Sequence, residues 1–76
     1  MKKRFVIFSK PNCPYCNKSK ALLDSHDEGY FVWDITENEF AKEYLKQSGF
    51  TTVPQIYFNG RHVGGYDELE IFLGLN

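Results

Sequence analysis

Two cysteines, Cys13 and Cys16, are the groups whose type and spacing carry chemistry most directly, and they are the only cysteines in the chain. They lie in the run Ser9-Lys10-Pro11-Asn12-Cys13-Pro14-Tyr15-Cys16, just after the apolar Phe5-Val6-Ile7-Phe8. A Cys-x-x-Cys pair at a strand-to-helix junction is the usual setting of thiol–disulfide exchange. This spacing puts both side chains on one helical turn, close enough for one disulfide. A loop so short constrains the unfolded chain little, which makes the pair a poor structural staple. Exchange needs one thiolate to attack a disulfide sulfur and a second thiol to resolve the mixed disulfide. Cys13 falls at or near the helix N-cap. Unpaired N–H groups there stabilise a sulfur anion, so its pKa is expected to move down. Lys10, Lys18 and Lys20 add positive charge nearby in sequence. Cys16, one turn in and more buried, is placed to resolve.

Cysteines at this spacing also bind metals. A structural zinc site takes four ligands. His26 and His62 are the only other candidates, and they form no tight second pair. A bound metal is therefore not expected. An iron–sulfur cluster held by Cys13 across a dimer is the competing reading from that class. Buried cysteines are common core residues, but their placement around Pro14 at a helix start argues against a purely structural role.

The elements that must hold the pair are readable from hydrophobic pattern and turn chemistry. The chain has 76 residues and reads as a single domain, residues 1–76, with 42% hydrophobic content, seven Phe and five Tyr. A domain of this size buries only roughly 60% of its unfolded surface and is not generously stable. Residues 3–9 read as a buried strand. A helix then starts at Cys13, with Pro14 at its first position, and runs to about Ser25. Asp27-Glu28-Gly29 is a turn, and Tyr30–Ile35 is aromatic and β-branched enough for a second strand. Thr36-x-x-Glu39 is a capping-box pattern ahead of a helix with Phe40, Ala41, Tyr44 and Leu45 on one stripe. Gly49 is a plausible C′ residue, and residues 50–54 form a loop. Gln55–Phe58 is a third strand. Asn59-Gly60 is a strong type I′ hairpin signal, so Arg61–Gly64 should pair back as an edge strand. Asp67-x-x-Glu70 is a second capping pattern, before a short helix with Leu69, Phe72 and Leu73 on one face and Gly74 at its end. The order is βαβ then ββα. The first half needs a right-handed crossover and a parallel pair. The whole is an α/β domain with one four-stranded mixed sheet and three helices, the plan of thioredoxin-like folds.

The formal net charge of −1 argues against a broad phosphate-binding face, so nucleic acid is not an expected partner. Lys2-Lys3-Arg4 reads as a solvated lead into the first strand. No apolar stretch is long enough to span a membrane, and the four-residue apolar run after Arg4 is too short for a signal peptide. A reducing cytoplasm is the expected location.

Three segments together resemble one family. Cys13-Pro14-Tyr15-Cys16 is similar to the glutaredoxin active-site tetrad. Thr51-Thr52-Val53-Pro54-Gln55 resembles that family's TVP loop, and Gly64-Gly65-Tyr66-Asp67 its GG-x-D segment. They occur in the family's order across nearly the whole chain. Tyr15, where thioredoxins carry a glycine, points away from thioredoxin itself. The resemblance implies a thioredoxin-like fold, a cis Val53–Pro54 peptide and a glutathione-dependent dithiol oxidoreductase. It implies Cys13 as nucleophile, Cys16 as resolving thiol, and a glutathione site made of Lys10, Tyr15, Thr52, Val53, Pro54, Gly65, Tyr66 and Asp67. Lys10 would face the glycine carboxylate, Val53 would offer its backbone, and Tyr66 and Asp67 would meet the γ-glutamyl end.

The chain departs from the family's pattern at Phe50, where many members carry a basic residue before the TVP loop. That leaves Lys10 and Gln47 as partners for the glutathione carboxylate. Tyr66 stands where a cysteine or small residue is common. Viral glutaredoxins, whose location would be the host cytoplasm, and glutaredoxin-like donors of ribonucleotide reductase are of similar size. The implied partners are glutathione, as co-substrate rather than bound cofactor, and disulfide-bearing proteins, with ribonucleotide reductase a candidate. A monomer is expected. The alternatives are an electron donor recharged by thioredoxin reductase, which Phe50 favours, and a non-enzymatic iron–sulfur or metal carrier.

Overall fold

The computed structural model describes residues 3–75, so Met1, Lys2 and Asn76 lie outside the described residues, and with them the start of the basic cluster. Its elements are β1 (Lys3–Ser9), α1 (Pro14–Ser25), β2 (Gly29–Asp34), α2 (Glu39–Gln47), β3 (Gln55–Phe58), β4 (Arg61–Gly64) and α3 (Tyr66–Phe72). The strands form one sheet in the order β2-β1-β3-β4. β1 runs parallel to β2 and antiparallel to β3, and β3 runs antiparallel to β4. The sheet is mixed, as the βαβ-ββα reading requires. Among the described residues, no helix is long and apolar enough to cross a membrane.

Alternation along β1 sorts the core into two layers. Phe5 and Ile7 join Ile56 of β3, Leu23 of α1 and Leu69 of α3 in one fully buried cluster. Phe8 turns to the opposite face, where it packs with Tyr57, Ala41 and Leu45 of α2. Fully burying a side chain such as Leu23 or Leu69 is worth about 1.5–3 kcal/mol. α1 and α3 thus cover one face and α2 the other. Arg4 pairs with Glu28, ahead of β2, at 3.0 Å.

The hairpin forms as its sequence predicts. Asn59 and Gly60 have φ of 48° and 82°, the left-handed pair of a type I′ turn. Gly49 follows the Ser48 C-cap of α2, and its N–H bonds the Lys46 carbonyl.

Both proposed helix caps need correction. α2 is capped by Asn38, whose Oδ1 accepts from Ala41 N at 3.0 Å, and not by Thr36. Thr36 instead donates its N–H and hydroxyl to Asp34 Oδ1, at 2.8 and 2.5 Å. A carboxylate offered two local donors closes a turn more readily than it frees Thr36 for a cap. α3 begins at Tyr66 with Gly65 as its N-cap, so Asp67 lies in the first turn and is not the cap. Glu68 reaches back, and its Oε1 accepts from Gly65 N at 2.7 Å. On α2 the apolar stripe is wider than the contact it makes. Ala41 and Leu45 are buried, whereas Phe40 is 87% exposed. Phe40 lies 100° around the helix from Ala41, outside the footprint of Phe8 and Tyr57.

The cap and the turn respond differently to pH. Asn38→Ala should destabilise the fold by about 1 kcal/mol at any pH, since the amide does not titrate. Asp34 is held below the usual carboxylate range, mainly by the Thr36 hydroxyl. Its contribution is fully present above the unfolded pKa of about 4 and is lost as pH falls through the lower folded value. Thr36→Ala should therefore cost stability at neutral pH and less in acid. Urea midpoints at pH 7 and pH 3 check both, and a pH-independent Thr36→Ala would contradict the Asp34 account.

Candidate active site

Strand directions bring three distant segments to one end of the sheet. β1 ends at Ser9, just before Cys13. Antiparallel pairing sets Phe8 against Gln55, so the loop entering β3 lies beside the end of β1. Pairing of Ile56 with Gly64 then brings the end of β4 and the start of α3 to the same edge. The Cys-Pro-Tyr-Cys, Thr-Val-Pro and Gly-Gly-Tyr-Asp segments converge for this reason.

Cys13 is the N-cap of α1, with φ −112° and ψ 102°, and Pro14 opens the helix. Cys13 and Cys16 form a disulfide, with their Cα atoms 5.2 Å apart. Cys13 Sγ accepts from the Cys16 N–H at 3.2 Å. That donor belongs to the free first turn, and such an N–H would stabilise a thiolate at this sulfur. Cys16 is fully buried, while Cys13 keeps 6% of its surface exposed. An incoming sulfur meets Cys13 first. Buried Ser19, one turn on, satisfies its hydroxyl by donating to the Tyr15 carbonyl at 2.8 Å.

The Val53–Pro54 peptide is cis. The Val53 carbonyl lies 3.8 Å from Cys13 Sγ. Val53 precedes β3 and is not among the paired residues of β1 and β3. The loop is tied down from below by Gln55, whose side-chain Nε2 donates to the Thr52 carbonyl at 3.0 Å. The other end of that amide accepts from His62 Nε2 at 2.7 Å, and His62 stacks on Phe50 with ring centroids 4.4 Å apart.

Two clefts meet at Thr52 and Val53. One, of about 210 Å³, is lined by Tyr15, Pro54, Gly65, Tyr66, Asp67 and Glu68 besides those two. Its floor depends on Gly64. That residue has φ +129°, and a Cβ there would lie 2.7 Å from the Glu68 side chain that caps α3. Tyr15 and Tyr66 form its aromatic wall, with ring centroids 5.8 Å apart, and the Lys18 Nζ lies 5.1 Å from the Tyr15 centroid. Burial and the Glu70 carboxylate push the Tyr66 hydroxyl pKa up. Tyr66 is therefore a neutral phenol that donates to Glu70 Oε2 at 3.4 Å.

The second cleft, about 480 Å³, holds Lys10 together with Lys42, Lys46, Ile35, Leu45 and Phe50. Gln47 does not line it. Gln47 donates instead to Glu43 within α2, at 3.2 Å. Lys42 and Lys46 are the cations that the sequence reading missed. Their i, i+4 spacing on the helix before the Gly49-Phe50 turn was the available signal. Lys20 acts on the Asp34 carboxylate rather than serving the cysteines alone. Among the described residues, no group of three or more metal-ligating side chains converges.

Comparison with known proteins agrees with this geometry. Residues 5–63 match the family model described as Glutaredoxin. Glutaredoxin 3 of Escherichia coli K12 is 44% identical over 64 residues, covering 83% of this chain and 77% of the relative. Glutaredoxin 1 of Rickettsia prowazekii is 43% identical over 67 residues, covering 84% of this chain and 70% of the relative. A buckwheat glutaredoxin–glutathione complex superposes with a TM-score of 0.77 at 28% identity, over 95% of this chain and 71% of that one. The holo form of poplar glutaredoxin C1 gives a TM-score of 0.79 at 28% identity, over 96% and 78%. Members of that family are thiol–disulfide oxidoreductases, and with a thioredoxin-like fold carrying Cys13 and Cys16 at the head of α1, this chain belongs to the glutaredoxin family.

Proposed function

We propose that this oxidoreductase draws its electrons from glutathione and reduces protein disulfides and glutathione mixed disulfides. The observation that carries the reading is the opposed charge of the two clefts that meet at Val53, beside Cys13. Asp67 stands at one end and Lys10 at the other. Glutathione has an ammonium at its γ-glutamyl end and a carboxylate at its glycine end, so it matches that polarity along one extended backbone. A complex of a buckwheat glutaredoxin with glutathione supports the same reading.

The Cys13 thiolate attacks a substrate sulfur, and the substrate's other sulfur leaves as thiolate. Cys16 then attacks Cys13 Sγ, releases the second substrate thiol and closes the Cys13–Cys16 disulfide. One glutathione thiolate attacks Cys13, freeing Cys16. A second removes the first as glutathione disulfide, which restores the dithiol. The ligand lies as a short added strand on the Val53 backbone. Tyr15, Thr52, Pro54, Gly65 and Tyr66 shape the groove around it. Lys10 faces the glycine carboxylate, and Asp67 accepts from the ammonium. The reading assumes a reducing cytoplasm, where glutathione keeps such a dithiol charged.

Cys13→Ser should abolish turnover of a glutathione mixed disulfide with glutathione and its reductase. Cys16→Ser should keep that turnover and lose reduction of intramolecular protein disulfides. Full activity in Cys13→Ser would remove the nucleophile assignment, and recharging by thioredoxin reductase alone would replace glutathione as reductant.

Lys10→Gln should raise the Cys13 pKa and raise the KM for glutathione by about two- to fivefold, the size of one exposed charge pair. Thiolate absorbance against pH and steady-state kinetics check the two effects. An unmoved titration together with an unmoved KM would contradict the role of Lys10.

A further inference from the structure

Glutathione placed as proposed above has no side chain to put into the larger cleft. Beyond its cysteine it offers one glycine, which has no side chain. The cleft on that side measures about 480 Å³, against about 210 Å³ on the Asp67 side. Its wall is apolar, with Leu45 buried and Ile35 and Phe50 half-buried. Its rim is cationic, with exposed Lys42 and Lys46 one turn apart on α2 and Lys10 across from them. Among the described residues, none of these three lysines takes part in an ion pair. Glu43, the carboxylate next to Lys42, is turned to Gln47.

We propose that this cleft binds the polypeptide that follows the reactive cysteine of a protein substrate. An apolar side chain packs on Ile35, Leu45 and Phe50. A carboxylate one or two residues further on is held by Lys42 and Lys46. The direction of the peptide rests on the glutathione reading above, in which the carboxyl end of the ligand points away from Asp67. Thr52 and Val53 line both clefts, so the two adjoin where a strand laid on Val53 would run. Charge complementarity selects the occupant: an acidic, apolar segment is attracted, and a basic one is repelled. Lys42 and Lys46 thus discriminate among protein substrates, and Cys13 performs the same exchange on all of them.

The test is an exchange equilibrium on the Cys16→Ser chain carrying glutathione on Cys13. A single-cysteine peptide thiolate attacks Cys13 Sγ. A peptide–Cys13 disulfide forms, the glutathione–Cys13 disulfide breaks, and glutathione leaves as thiolate, so no external oxidant or reductant is needed. Two isomeric peptides of equal charge are compared, one with Leu-Glu-Glu after its cysteine and one with Glu-Glu-Leu before it, together with a Cys-Leu-Lys-Lys peptide. Species are counted by mass spectrometry after an acid quench. The acid-after peptide should outcompete the acid-before isomer and the basic peptide by about tenfold at low salt, two exposed charge pairs' worth. The preference should shrink in high salt and invert in Lys42→Glu/Lys46→Glu. Equal constants for the two isomers would overturn the subsite while leaving the glutathione reading intact. A preference that survives the double charge reversal would also overturn it. A chain that cannot be loaded with glutathione at Cys13 would overturn both.

Discussion

The antiparallel pairing of β1 with β3 is the constraint on which the site depends. It sets Phe8 opposite Gln55. Without it the Cys13 junction and the Val53–Pro54 loop would be unrelated loops on a small domain. With it, the 3.8 Å approach of Val53 O to Cys13 Sγ follows from strand register. The register itself is fixed by burial. Phe5 and Ile7 face the fully buried cluster and Phe8 faces α2, so a one-residue slip would invert both layers at once. The core therefore does more than hold the chain together. It sets the distance between Cys13 and the Val53 backbone.

A second layer of control runs beneath the loop. Gln55 is buried, so its amide must find partners or cost stability. It spends one end on Thr52 and the other on His62, which in turn stacks on Phe50. The Thr-Val-Pro loop is thus held from a neighbouring strand, although the loop itself is exposed at Thr51 and Thr52. On the opposite side Glu68 holds Gly65, and Gly64 leaves room for that carboxylate to reach back. Both walls of the groove are thus braced by side-chain hydrogen bonds, from Gln55 on one side and Glu68 on the other.

Most of this was legible in the sequence, for identifiable reasons. Element order and type followed from runs whose period and turn residues agreed, as at Phe5–Phe8 and Asn59-Gly60. The cysteine pair was legible because Pro14 between them marks a helix start. Three things were not. Thr36 and Asp67 each matched a capping pattern, but a nearer or better-placed residue took the cap: Asn38 in one case, and Gly65 with Glu68 in the other. Sequence spacing does not say which of two adjacent polar groups will be in hydrogen-bonding range. Phe40 matched a helical stripe whose edges exceed the surface it faces. Gln47 faces Glu43 rather than the cleft, and the loop sequence does not reveal which face of α2 looks across to Lys10.

Phe50 connects these points. It stands where the family often carries a basic residue, a change that by itself removes one anion partner. The structure gives the position another use. Phe50 stacks on His62 and lines the apolar wall of the larger cleft, while Lys42 and Lys46 on the helix rim carry cationic charge. A guanidinium beside Val53 would fix a carboxylate close to the reacting cysteine, which suits glutathione. Charge set back on a helix, behind an apolar floor, suits a ligand with a side chain to bury before its acid. On the peptide reading, an aromatic ring in place of one cation would change the length of ligand the groove favours more than the sign of charge it accepts.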